Sequence, residues 1–294
     1  MKQLLILSGK GGTGKTTVAA AFISLSKAKA FADCDVDAPN LHLVLKRDDE
    51  PQKSDFFGME KAEINTDLCI KCGICLQNCR FDAILKGNDC YKVDPLACEG
   101  CGVCEAICPC GAVSLFPDIA GKLILFAGDS VFSTAQLKMG SGNSGKLVSQ
   151  VKKQMKDAAE NIDFSIIDGS PGIGCPVIAS LSGVDLVLIV AEPSLSGISD
   201  MERIIITARI FGVQAAVCIN KYNLCPENSE RIVAFCRDNG LAFVGNIPFD
   251  KEAVKAVNSG KSIAQVDCLS GQAVREVYAN TMSLLQSCRA GGGI

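Results

Sequence analysis

"ILSGKGGTGKTT", Ile6–Thr17, ends a run of aliphatic residues in a glycine-rich turn. Gly9–Thr16 fits the pattern G-x-x-x-x-G-K-[S/T], in which backbone amides cradle phosphate oxygens. The flanks supply the context the pattern requires. "KQLLIL" at 2–7 reads as a buried parallel strand, and a helix is expected from Gly14 to Lys27. The helix N-terminus adds partial positive charge. Lys15 then faces the β- and γ-phosphates, and the Thr16 hydroxyl holds Mg2+. Gly9, Lys10, Gly11, Gly12, Thr13, Gly14, Lys15, Thr16 and Thr17 are the expected nucleotide contacts. The phosphate pattern needs one lysine, and Lys10 is a second.

Downstream, "AKAFADCD" reads as a strand ending at Asp33 and Asp35, and "KRDDEPQKSD" (46–55) as a polar break. After a cysteine-rich stretch, 121–140 is expected to form two strands turning near Gly128–Ser130. A helix (144–160), then strands "DFSIID" and "VDLVLIVAEP", a helix ending at Gly212, strand "VQAAVCIN", helix "PENSERIVAFCRDNG" and strand "AFVGNI" follow. Strands alternating with helices imply an α/β fold, a mostly parallel sheet with helices on both faces. One α/β domain, 1–58 and 116–294, is therefore expected to be interrupted by a small α+β insertion at 59–115.

With 294 residues, 48% of them hydrophobic, the chain can bury a sizeable core. The net charge of −3 argues against a general nucleic-acid binder. The apolar run near Met1 is too short for a secretory leader and no small-residue cleavage site follows, so a cytoplasmic location is expected. The stretch 278–294 carries one arginine, poor material for binding an anionic membrane. A single histidine, His42, leaves little scope for histidine-based metal or base chemistry.

Of 17 cysteines, ten lie between Cys69 and Cys110. "CIKCGICLQNC" supplies Cys69, Cys72, Cys75 and Cys79; "CEGCGVCEAICP" supplies Cys98, Cys101, Cys104 and Cys108. Both read C-x2-C-x2-C-x3-C, the bacterial ferredoxin spacing, in which the fourth cysteine of each run ligates the other cluster. The expected sets are Cys69, Cys72, Cys75 and Cys108 for one [4Fe–4S] cluster, and Cys98, Cys101, Cys104 and Cys79 for the other. Arg80 stands where a proline usually follows the first run. Zinc is the alternative, but it normally takes paired C-x2-C clips. The insertion carries eight acidic and five basic side chains, either a solvated surface or a dock for a basic partner. Cys90 and Cys110 fall outside both quartets. Cys34, Cys218, Cys236, Cys268 and Cys288 read as buried small apolar residues.

"KGGTGKT" resembles the deviant Walker A loop of the MinD/ParA ATPases, the group that includes the nitrogenase iron protein. The resemblance implies that Lys10 reaches across a dimer interface to the partner's nucleotide. "ADCDVDAPNL" resembles the switch I segment, which implies that Asp35 orients the attacking water and Asp33 sits near the metal. "IIDGSPGIG" resembles the Walker B strand and switch II, with Asp168 holding Mg2+ through water and the Gly172 amide sensing the γ-phosphate. "INKYN" and "NIPFD" resemble the adenine-recognition segments, with Asn220 on the base and Pro248 beside it. Cys175, in the switch II turn, stands where the nitrogenase iron protein has a cluster ligand; it is either such a ligand, with Cys225 as a distant mate, or a packed switch cysteine.

Over nearly the whole chain the resemblance is to MinD-superfamily ATPases with an inserted ferredoxin domain. It implies an ATP-hydrolysing homodimer, or a heterodimer with a paralogue. Nucleotide state would couple to assembly or delivery of iron–sulfur or metal cofactors, with a redox or cofactor-acceptor protein as partner. ATP-gated electron transfer is the alternative, and a MinD-like positioning role a more distant one.

Overall fold

A computed structural model of the protein describes residues 1–45, 47, 49–87 and 90–287. Cys288, expected to be buried, lies outside the described residues. In chain order the elements begin with β1 (Lys2–Leu7), α1 (Lys15–Ser26), β2 (Ala30–Asp33), β3 (Gln52–Phe57), β4 (Lys61–Ile64), α2 (Ile74–Asn78), β5 (Ile84–Lys86), β6 (Tyr91–Val93), α3 (Val103–Ala106) and β7 (Val113–Phe116). Next come β8 (Ile119–Ala127), β9 (Val131–Leu137), α4 (Ser144–Ala158), β10 (Phe164–Asp168), α5 (Cys175–Leu181) and β11 (Leu186–Ala191). The chain continues with α6 (Leu195–Ile210), β12 (Gln214–Asn220), α7 (Pro226–Asp238), β13 (Ala242–Ile247), α8 (Lys251–Asn258) and α9 (Leu269–Ser287).

The chain divides into two compact units. The first takes Met1–Lys53, Leu123–Gln136 and the chain from Gly145 onward; the second takes Ser54–Lys122 and Leu137–Ser144. The second unit contains the 59–115 segment and extends beyond it on both sides.

The sheet runs in the order β13-β12-β11-β1-β10-β2-β9-β8-β3. Every neighbouring pair from β13 to β9 is parallel. All six residues of β11 and five of six in β1 are buried, as continuous aliphatic runs require when helices cover both faces. Strand order changes direction around β1, with β10 on one side and β11 on the other. The carboxyl ends of those strands form the crevice where such sheets bind ligands. On one face, Val18 and Phe22 of α1 and Val274 and Val277 of α9 join Leu4, Ile6, Ile166 and Leu188 in one buried cluster.

The second unit is built from short pieces. β4 pairs antiparallel with β7 and β5 with β6. Its apolar core is small: Ala62, Ala83, Cys98 and Val113, with Ile64, Val93, Ala97, Leu115 and the thiols of Cys79, Cys104 and Cys108 packed against them.

Three differences from the sequence reading stand out. The polar break contains most of β3, a strand exposed except at Phe56. The strand expected over "AKAFADCD" is only Ala30–Asp33, because Lys27 at φ 50° closes α1 and the chain turns out of the sheet after Asp33. Helices α8 and α9 follow the last strand, where the sequence reading placed no further element.

Candidate functional site

The loop from Ser8 to Gly14 joins β1 to α1. Gly14, at φ 90°, caps α1, and a Cβ there would run into the Asn220 side chain. Lys15 opens the helix and is buried, its Nζ 2.5 Å from Asp168 Oδ1. Asp168 ends β10, which pairs in register with β1 through Ile6, so parallel pairing alone brings this carboxylate beside the loop. Its other oxygen, Oδ2, is buried with no hydrogen-bond partner among the described residues, as is Thr13 Oγ1. Orphaned buried oxygens are costly. These two fit a bound cation with its water shell and a phosphate. Thr16, half-buried, has its hydroxyl 3.5 Å from Lys15 Nζ.

Asp33 ends β2, the strand next to β10, and is buried. Its Oδ1 accepts from the Asp35 amide at 3.0 Å, and Oδ2 from the Asn40 and Leu41 amides at 3.0 and 2.9 Å. Burial, then the nearby Asp168 charge, raises its carboxyl from the ordinary 3.8 to about 7. Asp35 is half-buried, and burial raises its carboxyl while Lys15 opposes. Burial pulls the Lys15 ammonium down, but Asp168, Asp33 and Asp35 together hold it above the ordinary lysine value. Three carboxyl groups thus surround one buried lysine, and among the described residues Asp168 Oδ2 is the one buried carboxylate oxygen left over.

Lys10 Nζ lies 2.7 Å from Glu192 Oε2 and 3.0 Å from Ser194 Oγ. Glu192 follows β11, and its other oxygen takes Lys221 Nζ at 3.1 Å. Lys221 Nζ also donates to the Gly12 carbonyl at 2.7 Å. Burial alone would raise the Glu192 carboxyl, but its two lysines hold it below the usual carboxylate range. Within one chain, then, Lys10 is held in the loop by Glu192. The sequence reading did not single out Glu192 or Lys221; a carboxylate after an aliphatic strand is visible in the sequence, but the place of that strand beside β1 is not.

A cavity of about 220 Å3 opens beside the loop, lined by Gly12, Thr17, Asn220, Lys221, Pro248 and Phe249 among others. Asn220 Nδ2 donates to the Thr13 carbonyl at 2.6 Å and Oδ1 accepts from the Lys221 amide at 3.0 Å. Its amide group therefore braces the loop with one donor left over. Pro248 accepts from Ser270 Oγ at 2.7 Å. The Phe249 ring, half-exposed, is the aromatic surface of this cavity and was not foreseen. Gly172, at φ 96°, donates its amide to the Ser8 carbonyl at 3.0 Å, which ties the turn after β10 to the end of β1.

In the second unit one cavity is lined by Cys69, Cys72, Cys75 and Cys108, together with Cys110. A second is lined by Cys79, Cys98, Cys101 and Cys104. The structure therefore brings together the two expected quartets, each with three thiols of one run and one of the other. Gly73 and Gly102, at φ 78° and 76°, turn the chain around the cavities. No three donors among the described residues converge on a single-ion site. Four thiols ringing a cavity fit a cubane, whose four irons keep the thiolates apart.

Cys90 lines neither cavity. Cys34, Cys218 and Cys236 are buried, and burial pushes their thiols up to about 12, 12 and 11. Cys268 is half-buried and burial raises its thiol too. Cys175 is exposed at the start of α5, and Cys225 precedes α7. Among the described residues no helix is long and apolar enough to cross a membrane.

Several known proteins are similar. An uncharacterized protein of Methanocaldococcus jannaschii is 34% identical over 285 residues, covering 94% of this chain and 95% of its own. An iron-sulfur cluster carrier protein of the same organism is 21% identical over 94% of this chain and 82% of its own. A 7Fe ferredoxin of Hydrogenibacillus schlegelii is 43% identical over 54 residues, 18% of this chain and 69% of its own. The cell division ATPase MinD of Pyrococcus furiosus superposes with a TM-score of 0.57 over 96% of this chain and 99% of its own, at 18% identity, a likeness of fold. The CbiA profile, the CobQ/CobB/MinD/ParA nucleotide binding domain, matches residues 4–263. With its phosphate loop, parallel sheet and matching span, the chain belongs to the CobQ/CobB/MinD/ParA nucleotide-binding family.

Proposed function

We propose that the protein is an ATP-hydrolysing homodimer whose nucleotide state controls two resident [4Fe–4S] clusters, in the service of iron–sulfur or metal cofactor assembly or delivery. One observation carries this reading: a single chain holds both a phosphate loop backed by an orphaned buried carboxylate oxygen and two crossed thiol quartets.

In this reading residues 1–58 and 116–294 bind ATP and 59–115 forms the ferredoxin-like domain. Lys15, drawn from Asp168, meets the β- and γ-phosphates; Thr16 and Asp168, with Asp33 nearby, would hold Mg2+, which would offset the phosphate charge. Asp35 orients the attacking water. Asn220 keeps the loop in shape and offers its remaining amide hydrogen to the base, which lies between Pro248 and Phe249. Lys10 exchanges Glu192 for the partner's nucleotide, which adds the positive charge that a triphosphate shared by two protomers demands. The clusters, when bound, supply one-electron chemistry and a store of iron and sulfide. The second unit's cysteines follow the Asp33–Asp35 segment in the chain, with β3 and β4 between them.

The test is anaerobic purification followed by iron and sulfide analysis and spectra with Mg-ADP and Mg-ATP. About eight irons per chain are expected, with cluster spectra or chelator access that change between nucleotides. Zinc in place of iron, or indifference to Mg-ATP, overturns the proposal. Transfer of iron to an apo-acceptor without electron transfer separates delivery from redox gating.

A further inference from the structure

The cavity of Cys69, Cys72, Cys75 and Cys108 has a fifth thiol. Cys108-Pro109-Cys110-Gly111 forms a tight turn, with Gly111 at φ 61° and its amide donating to the Cys108 carbonyl at 3.3 Å. The turn folds Cys110 back toward the cavity, which it lines. Its Sγ lies 3.7 Å from Cys108 Sγ. Two thiolates on one tetrahedral metal, at metal–sulfur bonds of about 2.3 Å, stand roughly 3.8 Å apart. Cys108 and Cys110 are thus spaced as two ligands of the same metal atom. Each iron of a cubane, however, already holds three sulfides and takes one thiolate. The Ala112 amide donates to Cys108 Sγ at 3.2 Å, which marks Cys108 as the resting ligand and leaves Cys110 in reserve. The second cavity, among its described residues, is lined by four thiols and no fifth.

We propose that Cys110 is an exchangeable ligand for the cluster of Cys69, Cys72 and Cys75, replacing Cys108 on a single iron. The inference rests on the cluster assignment above. In the exchange, Cys110 gives its proton to water, its sulfur bonds to the iron as the Cys108–iron bond breaks, and the Cys108 thiolate takes up a proton. No electron moves and the cluster keeps its charge. The exchange passes through a moment of weakened ligation, so this cluster is the more labile of the two.

The experiment uses the full chain, purified or reconstituted anaerobically, as wild type, Cys108→Ser, Cys110→Ser, Cys108→Ser/Cys110→Ser, and Cys104→Ser from the other cavity. Iron and sulfide are counted, and free thiols are alkylated and located by mass spectrometry. Wild type and Cys110→Ser are expected to hold about eight irons, with Cys110 alkylated in the wild type. Cys108→Ser is expected to keep about eight irons, with Cys110 now protected from alkylation. The double variant and Cys104→Ser are each expected to lose about half the iron or more. If Cys108→Ser loses as much iron as the double variant, or if Cys110 alkylates equally with and without Cys108, the exchange is refuted while the cluster assignment stands. A wild type without iron refutes both.

Discussion

Lys15 and Asp168 meet across 153 residues of sequence, and Asp33 joins them from a third strand. The thiols of the second unit, by contrast, all come from the short stretch Cys69–Cys110. The first site is held by a parallel sheet whose central strands are buried on both faces. The second packs Ala62, Ala83, Cys98 and Val113 with Ile64, Val93, Ala97, Leu115 and further cysteines, and also buries Phe56, Ile84 and Tyr91, a far smaller core than the sheet's. Small domains with a small apolar core gain stability from staples, and metal ligation would be one here. One site is therefore preorganised by a large buried sheet, whereas the other rests on a small core to which bound clusters would add stability.

The largest effect that tests this contrast is Lys15→Ala. It should weaken ATP and ADP binding by about 100-fold or more, the scale for losing a buried charge contact, while cluster absorbance stays unchanged. Calorimetry and visible spectra check it; a fall in cluster content would break the separation of the two regions.

Stripping the iron anaerobically comes next. Amides within 59–115 should lose hydrogen-exchange protection by orders of magnitude, while those of β1, β10 and β11 keep theirs. Equal protection in both would show that the second unit stands without clusters.

Lys10→Ala should bind ATP within about threefold of wild type but lose at least about tenfold in ATP-dependent dimer, measured by sedimentation. An unchanged dimer would leave Lys10 as the partner of Glu192 alone.

A last test is a pH dependence of the preorganised site, read in EDTA by urea unfolding. Burial beside Asp168 raises Asp33 from 3.8 to about 7, so the folded protein keeps a proton that the unfolded chain has already released. Its contribution is whole below about pH 4 and is lost as pH rises through about 7. Asp33→Asn should flatten that slope; a wild-type slope that survives the substitution would assign it elsewhere.

How much was legible in the sequence follows the same divide. The cysteine pairing could be read because ligand spacing is local, and the same quartets line the two cavities. The loop and Asp168 could be read because a glycine-rich turn after an aliphatic run and a carboxylate after another are each local signals. Glu192 and Lys221 were not, since their role depends on which strand lies next to β1. β3 read as a break because an edge strand of "QKSDFF" has almost nothing to bury. α9 escaped notice because its buried face includes Ser270, Gly271 and Thr281 beside Val274, Val277 and Leu285, which blurs the apolar stripe.

The bond from the Gly172 amide to the Ser8 carbonyl bears on how di- and triphosphates would be told apart. That donor is already satisfied, so a terminal phosphoryl oxygen wins it only by substitution. The gain is the margin between a charged and a neutral acceptor, about 1 kcal/mol, or roughly fivefold in affinity. Such a contact makes a weak discriminator but an easily reversed latch, suited to a cycle whose spent nucleotide must leave.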